Sequence, residues 1–301
     1  MPNPAGLTLP NPGTARSRAR AFRKRPSYLT YATLVLLSFL MILPLIWLVR
    51  SSLMDNAQIF IFPPEWIPDP FRFSNYPEAL TAVPFKTFFL NTMTLELLTV
   101  SGVLVTTMIS AYTFARLRWP GRNIVFGVLL ATGMLPSAAT LIPMFVFWRE
   151  LGALDTYVPL ALPSWFGAGV YTGQGVFAIF LMRQFFMSIP RELDEAAYMD
   201  GANPLTVLWH VVLPLSKPAI LVITVFSFND VWNQFLEPTL YLSSESKYTM
   251  ALGLASFKGL YNAQWGYLMA ASATMIAPII VLFFLAQRYF IEGITLTGIK
   301  G

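Results

Sequence analysis

The sequence has no cysteine, which excludes disulfides, thiolate metal sites and a cysteine nucleophile, and leaves the redox compartment open. It has one histidine, His210. No set of His, Cys and carboxylate residues has metal-ligand spacing, so His210 reads as a packing or surface residue. No GxxxxGK[ST] stretch is present, so ATP binding through a phosphate loop is excluded. The G-x-S-x-G turn of a serine hydrolase is missing as well. Charge is scarce: Asp, Glu, Lys and Arg make up 12% of the chain, against about 25% in soluble domains. Without a catalytic set the chain does not read as an enzyme.

What is present is apolar bulk. Of 301 residues 55% are hydrophobic, and the mean hydropathy is +0.58. An all-α integral membrane protein follows, with room for five to seven spans of about 20 residues. The net charge of +5 sits largely in the first 27 residues, where Arg16, Arg18, Arg20, Arg23, Lys24 and Arg25 precede an apolar run. Membrane topology explains such a flank better than nucleic acid does, and the front of this tail reads as disordered. The run at 28–49 has 22 uncharged residues. It is longer than a signal-peptide core and has no small-residue cleavage site, so it is the first span. Residues 51–86 hold six prolines, which exclude a long helix. Phe60, Phe62, Trp66, Phe71, Phe73 and Tyr76 in that segment suit a membrane–water interface or a contact with a solute-binding partner.

The second span, 88–115, has one charge, Glu96. It must face the bundle interior or sit wetted near the outer end, and its position makes wetting the expectation. Arg116, Arg118 and Arg122 mark a cytoplasmic turn. The third span, 124–148, is bent at Pro136 and Pro143. Residues 156–182 contain the fourth span. There Gly167, Gly169, Gly173 and Gly175 permit close packing or mark an irregular stretch at 164–175. The fifth span covers 219–236, and the sixth lies within 259–287 around Pro278. Six spans put both ends on one side, together with the basic tail, the Arg116–Arg122 turn, and Arg183, Arg191 and Lys217. The domain reading is a basic tail at 1–27, a six-helix domain at 28–290 and a short tail at 291–301.

One polar stretch, 195–218, interrupts this pattern. Glu195-Ala196-Ala197-Tyr198-Met199 is helix-compatible, with little bulk. Asp200-Gly201 breaks the helix, since glycine takes positive φ at little cost. Asn203-Pro204 reads as the cap and first residue of a second helix, which Pro214 stops. Pro218 opens the next apolar run.

Glu195-Ala196-Ala197, Asp200-Gly201-Ala202 and Leu213-Pro214 resemble the EAA loop of ABC importer permeases. The resemblance implies a cytoplasmic coupling loop, about 190–215, whose short helix sits in a cleft of an ATPase subunit. Glu195 would pair with a basic residue there, and Ala196, Ala197 and Gly201 would permit close fit. Asp200, Ala202 and Pro204 complete the loop. Leu208 stands where relatives often carry Phe. Trp232-Asn233-Gln234-Phe235-Leu236 resembles the W-N-x-F-L segment of sugar-type permeases, although Glu237 departs from it. Asn229, Asp230, Trp232, Asn233 and Gln234 are therefore candidates for lining a pathway, with interhelical hydrogen bonding as the plainer role. Residues 247–254 resemble the external stretch that faces the binding protein in the same family. The ending at 293–301 resembles that of the smaller maltose-type permease. It implies that Gly298, Lys300 and Gly301 reach the ATPase dimer interface.

The resemblance implies half of a carbohydrate pathway in a bacterial or archaeal cytoplasmic (inner) membrane, with both termini cytoplasmic. Its partners would be a second permease subunit, two ATP-binding subunits that hold the ATP and Mg, an extracytoplasmic solute-binding protein, and lipid. The chain itself would bind no cofactor, metal or nucleic acid. A stand-alone secondary transporter or channel is the rival. It needs mid-span coupling carboxylates or an inverted repeat. Only Glu96 and Asp230 qualify, and no convincing repeat is visible.

Overall fold

The computed structural model describes residues 28–167, 170–259 and 263–297. The expectations for the basic tail and for Gly298, Lys300 and Gly301 lie outside these residues. Regular structure among the described residues is helical, apart from an isolated bridge between Lys258 and Ala263. The chain divides into two units, 1–48 and 49–301. The first holds most of α1 (Tyr28–Ser52), apolar on every side as a helix in lipid must be.

In the second unit, α4 (Phe85–Ala115) is the element around which the others pack. It has no internal proline and only Lys86 and Glu96 as charges, so nothing interrupts its 31 residues. Three apolar clusters follow one another along it. Phe85 and Phe88 join Trp232, Met250, Phe257 and Leu268 near its start. Leu95 meets Trp148, Leu160, Val231 and Tyr241 in the middle. Val103, Ala111, Tyr112 and Ala115 pack with Met182, Phe186, Val207, Leu208 and Val212 near its end.

The proline-rich stretch after α1 folds into two short helices, α2 (Asn56–Ile59) and α3 (Asn75–Ala82). Asn75 holds it together, its side-chain amide donating to the carbonyls of Ser52 and Met54, both at 2.9 Å. Phe60, Phe62, Trp66, Phe71 and Phe73 stay exposed, as interfacial residues would.

The expected third span is two helices, α5 (Arg122–Thr132) and α6 (Ser137–Glu150), bent by 92°. The residue before a proline avoids helical backbone, so the path breaks at Leu135-Pro136. Gly133 lets the later helix Val170–Ser188 cross here: a Cβ on it would stand 2.9 Å from a Val176 methyl. The expected fourth span starts irregularly, with α7 (Val158–Ala161) and a 3-10 turn (Leu162–Phe166), before α8 (Val170–Ser188). α9 (Glu192–Met199), α10 (Pro204–Leu215) and α11 (Lys217–Asn233) follow. Then come α12 (Leu236–Tyr241), α13 (Met250–Leu254) and α14 (Trp265–Thr297). The last helix thus runs past residue 291, where a tail was expected.

Among the described residues three helices, Tyr28–Ser52, Phe85–Ala115 and Trp265–Gln287, are long and apolar enough to cross a membrane, or up to five if each bent pair counts as one span. Gly175–Ser188 is apolar but shorter.

Pro214 does not stop its helix. The chain widens to π-helix at Leu208–Val212, so that Leu213 N–H bonds to Leu208 O, and runs on through Leu213–Leu215. The wider turn accommodates a residue that has no N–H to donate. The break comes at Ser216, with an 80° bend.

Two predictions arise from this packing. A Cβ on Gly253 would lie 2.3 Å from the ring of Phe88, which is fully buried. Gly253→Ala is expected to cost about 1–3 kcal/mol by overpacking, read as a lower thermal midpoint in detergent. The second concerns Asp155, which ties two loops together. Its carboxylate accepts from the Ser244 hydroxyl (2.6 Å), the Ser244 and Ser243 amides (3.0 Å each) and Lys247 Nζ (2.9 Å). The Ser244 hydroxyl and amide, then Lys247 and the Ser243 amide, hold its pKa well below the ordinary carboxylate range. A depressed pKa stabilises the fold above the unfolded value, near 4, and that contribution is lost as pH falls through the folded value. The loop at 243–248 should therefore resist protease in mild acid, and Asp155→Ala should open it at neutral pH.

Candidate functional site

The polar stretch folds into a helix, a tight turn and a second helix. Glu192, Asp194 and Glu195 occupy the first turn of α9, where carboxylates complement the positive helix end. Its other end is a complete Schellman closure. Gly201 takes φ +83°, its N–H bonds to Tyr198 O at 3.0 Å, and Ala202 N–H reaches back to Ala197 O at 3.0 Å. The apolar contact that accompanies such a closure comes from Ala197 and Ala202, both packed on the cluster at the end of α4. Asn203 caps the next helix as expected, its side chain accepting from Thr206 N–H at 2.9 Å, with Pro204 in the first turn.

Burial divides these residues. Ala197 and Ala202 face inward in part, whereas Glu195, Ala196, Asp200, Gly201 and Pro204 are exposed. No atom lies within 4 Å of a Cβ built on Gly201. The reason for glycine within this chain is therefore its positive φ, and the space beside it is open. Sequence reasoning passed over three exposed apolar residues of the same stretch: Met199 (88% exposed), Leu205 (63%) and Trp209 (60%). His210 is exposed too, with Nδ1 3.2 Å from Thr206 O.

Sequence reasoning also passed over the attachment of the loop. Arg116, one residue beyond α4, is buried and lies with Nε 3.3 Å from Asp194 Oδ2; their side chains are 3% and 10% exposed. Its other end donates to Ile189 O at 2.9 Å. Beside it the hydroxyls of Tyr112 and Tyr198 meet at 3.5 Å. Burial pushes the Asp194 carboxyl up, and the Arg116 and Arg191 charges pull it only part of the way back. Such a pair sets orientation more than it adds stability.

The five candidates for a pathway do not share one face. Trp232 is 1% exposed, donates its indole N–H to Met275 O at 3.0 Å and stacks on Phe228. That is interhelical bonding, and it withdraws the ring from any lining role in this chain. Gln234, in the break after α11, is also buried. Asn229 and Asn233 remain exposed one turn apart, joined by a bond from Asn233 Nδ2 to Asn229 O at 2.7 Å, and Asp230 is half-buried between them. Glu96 corrects another expectation: it is 4% exposed, not wetted, and interacts electrostatically with Asp230. Among the described residues no group of three or more His, Cys, Asp or Glu could hold a metal ion.

Residues 103–295 match the family described as binding-protein-dependent transport system inner membrane component. The chain belongs to this family. The match spans α9, α10 and α11, so both loop and bend are part of the family region. The chain is 34% identical over 263 residues to the sn-glycerol-3-phosphate transport system permease protein UgpE of Yersinia pestis, covering 85% of this chain and 91% of that one. It is 30% identical over 283 residues to the diacetylchitobiose uptake system permease protein NgcG of Streptomyces coelicolor, covering 91% and 89%. Its fold matches a chain of a bacterial ABC transporter involved in the import of the acidic polysaccharide alginate. There the TM-score is 0.74 and identity 26%, over 88% of this chain and all of that one. As a member of this family the chain is a membrane permease component of a transport system, and the family is one of transport components rather than enzymes.

Proposed function

We propose that this chain forms half of the pathway of an ATP-driven importer for a carbohydrate or related solute, and that α9 docks on a cytoplasmic ATPase subunit. The observation that carries the reading is the two-sided character of the loop. One side is fixed to the end of α4 through Arg116–Asp194, Ala197 and Ala202. The other presents Glu195, Ala196, Met199, Leu205 and Trp209, all exposed among the described residues. A loop built this way passes a push from outside the bundle to the membrane helices.

When two ATPase subunits close on ATP and Mg, α9 is drawn with them and the membrane helices tilt between inward- and outward-facing states. Glu195 pairs with a basic group of the ATPase cleft, and the last residues, Gly298, Lys300 and Gly301, reach the same partner. A second permease completes the pathway, and an extracytoplasmic binding protein delivers the solute. Relatives named for a glycerol phosphate and for diacetylchitobiose support a hydroxyl-rich solute. Asn229 and Asn233, exposed on α11, are the groups proposed to meet it.

The absence of cysteine makes the test clean, since any introduced thiol is unique. Met199→Cys in inner-membrane vesicles should cross-link to the ATPase, and its labelling should be blocked from the outer side. In proteoliposomes holding both permeases, the ATPase and the binding protein, solute uptake should require ATP. Uptake by this chain alone under an ion gradient would overturn the reading, as would outside labelling of Met199→Cys.

A further inference from the structure

Four arginines gather where α4 ends and α5 begins. Arg118, Arg122 and Arg191 line a cavity of about 490 Å³ with Trp119, Gly121, Asn123 and Ile124. Arg183 lies behind it, its guanidinium 4.3 Å over the Phe126 ring and close enough to Arg122 for the two charges to interact. No acidic side chain lines the cavity, and none of these four arginines forms an ion pair among the described residues. Asp194, the carboxylate whose charge reaches Arg191, is committed to Arg116. The positive charge is thus uncompensated by any ion pair among the described residues.

The surroundings are those of a membrane edge. α4, long and apolar enough to cross a membrane, ends at Ala115. Ile124, on the rim, is 75% exposed. Phe114 packs at a tilt against both Trp119 and Phe126 behind the arginines, with ring centroids 5.9 and 5.2 Å apart. The Trp119 indole nitrogen is buried and has no acceptor among the described residues. Guanidinium groups match phosphate oxygens with paired N–H donors, and an indole N–H adds another. A basic recess opening onto an apolar rim suits a ligand that carries a phosphate at one end and hydrocarbon at the other.

We infer that this cavity binds the phosphodiester headgroup of an anionic membrane lipid. The inference does not depend on the docking role of α9. A soluble phosphate shares the chemistry but has no use for the apolar rim. An acidic surface on the ATPase would not need the buried indole.

The full chain, purified in a nonionic detergent, would be titrated with phosphatidylglycerol, phosphatidylcholine or inorganic phosphate. Native mass spectrometry reads retained lipid, and thermal midpoint reads protection. Phosphatidylglycerol should be retained and protective at about tenfold lower concentration than phosphatidylcholine. Arg118→Gln, at an exposed position, should weaken it about fivefold, and Arg118→Gln with Arg122→Gln should remove the preference. Lys258→Gln, an equal loss of charge elsewhere, should leave retention unchanged. Because Arg122 also donates to Leu117 O at 3.1 Å, circular dichroism of the double variant checks its fold, and the single variant stands alone if that fold is lost. Equal retention by wild type and Arg118→Gln would overturn the site. Protection by inorganic phosphate as strong as by phosphatidylglycerol would overturn the lipid source. Unchanged lipid retention with weaker ATPase binding would assign the arginines to the protein partner instead.

Discussion

Asp194→Ala is expected to lower the stability of the chain by about 3 kcal/mol and to abolish ATP-driven uptake. The figure follows from removing one partner of a buried pair, which leaves the other charge without compensation. Arg116 would keep only its bond to Ile189 O. The informative variant is the double one. Arg116→Met with Asp194→Leu removes both charges, fills the space and should recover most of the thermal stability in detergent. Uptake should stay below about a tenth of wild type, because apolar contact holds α9 in place without setting its angle. Wild-type uptake by the double variant would show that the pair only packs. Acidification should separate the same two effects. Burial raises the pKa of Asp194 in the folded chain. A raised carboxyl takes up its proton more readily folded than unfolded, so its contribution to stability grows as pH falls through that value. The ion pair breaks over the same window, and uptake should fall while the thermal midpoint does not.

Gly201→Val is expected to cut uptake more than tenfold while the protein still inserts and is recovered in normal amount. A β-branched residue at φ +83° is strained by roughly 1–2 kcal/mol, and the Schellman closure that positions α10 loosens. Gly201→Asn separates conformation from contact. Asn tolerates this backbone region, so the turn should form and thermal stability should stay near wild type. Its side chain enters the open space beside Gly201, so binding to the ATPase should weaken. Wild-type coupling by Gly201→Asn would reduce the glycine to a backbone requirement and remove close approach from the account.

The local rules of the loop were legible in the residues themselves. Asp200-Gly201 announced a positive φ, and Asn203-Pro204 announced a capped helix; both are short-range consequences of side-chain and backbone sterics. The long apolar runs announced helices in a membrane for the same reason. The attachment of the loop was not legible. Arg116 and Asp194 lie far apart in the chain, and each alone looks like an ordinary charge beside a membrane span. Pro214 misled because its effect depends on whether the preceding turn can widen, a property of the packed helix. Pro136 read as a bend, but a break of 92° with Val176 packed against Gly133 is not written in the proline alone. Glu96 looked wettable by position, but neighbouring helices close over it. Ala197 read as room for a partner, and Ala202 only as part of the loop. They also close the turn on the bundle, and only the three-dimensional arrangement separates those two roles.

The attachment point has a geometric consequence. Arg116 follows the last residue of a helix of 31 residues, a rod about 46 Å long. If Ala115 is the short end of a lever, swinging the rod by about 5° carries its far tip, near Phe85, through roughly 4 Å. A tug of ångström size on one side of the bilayer would then arrive on the other side magnified, without any helix having to stretch, unwind or slide.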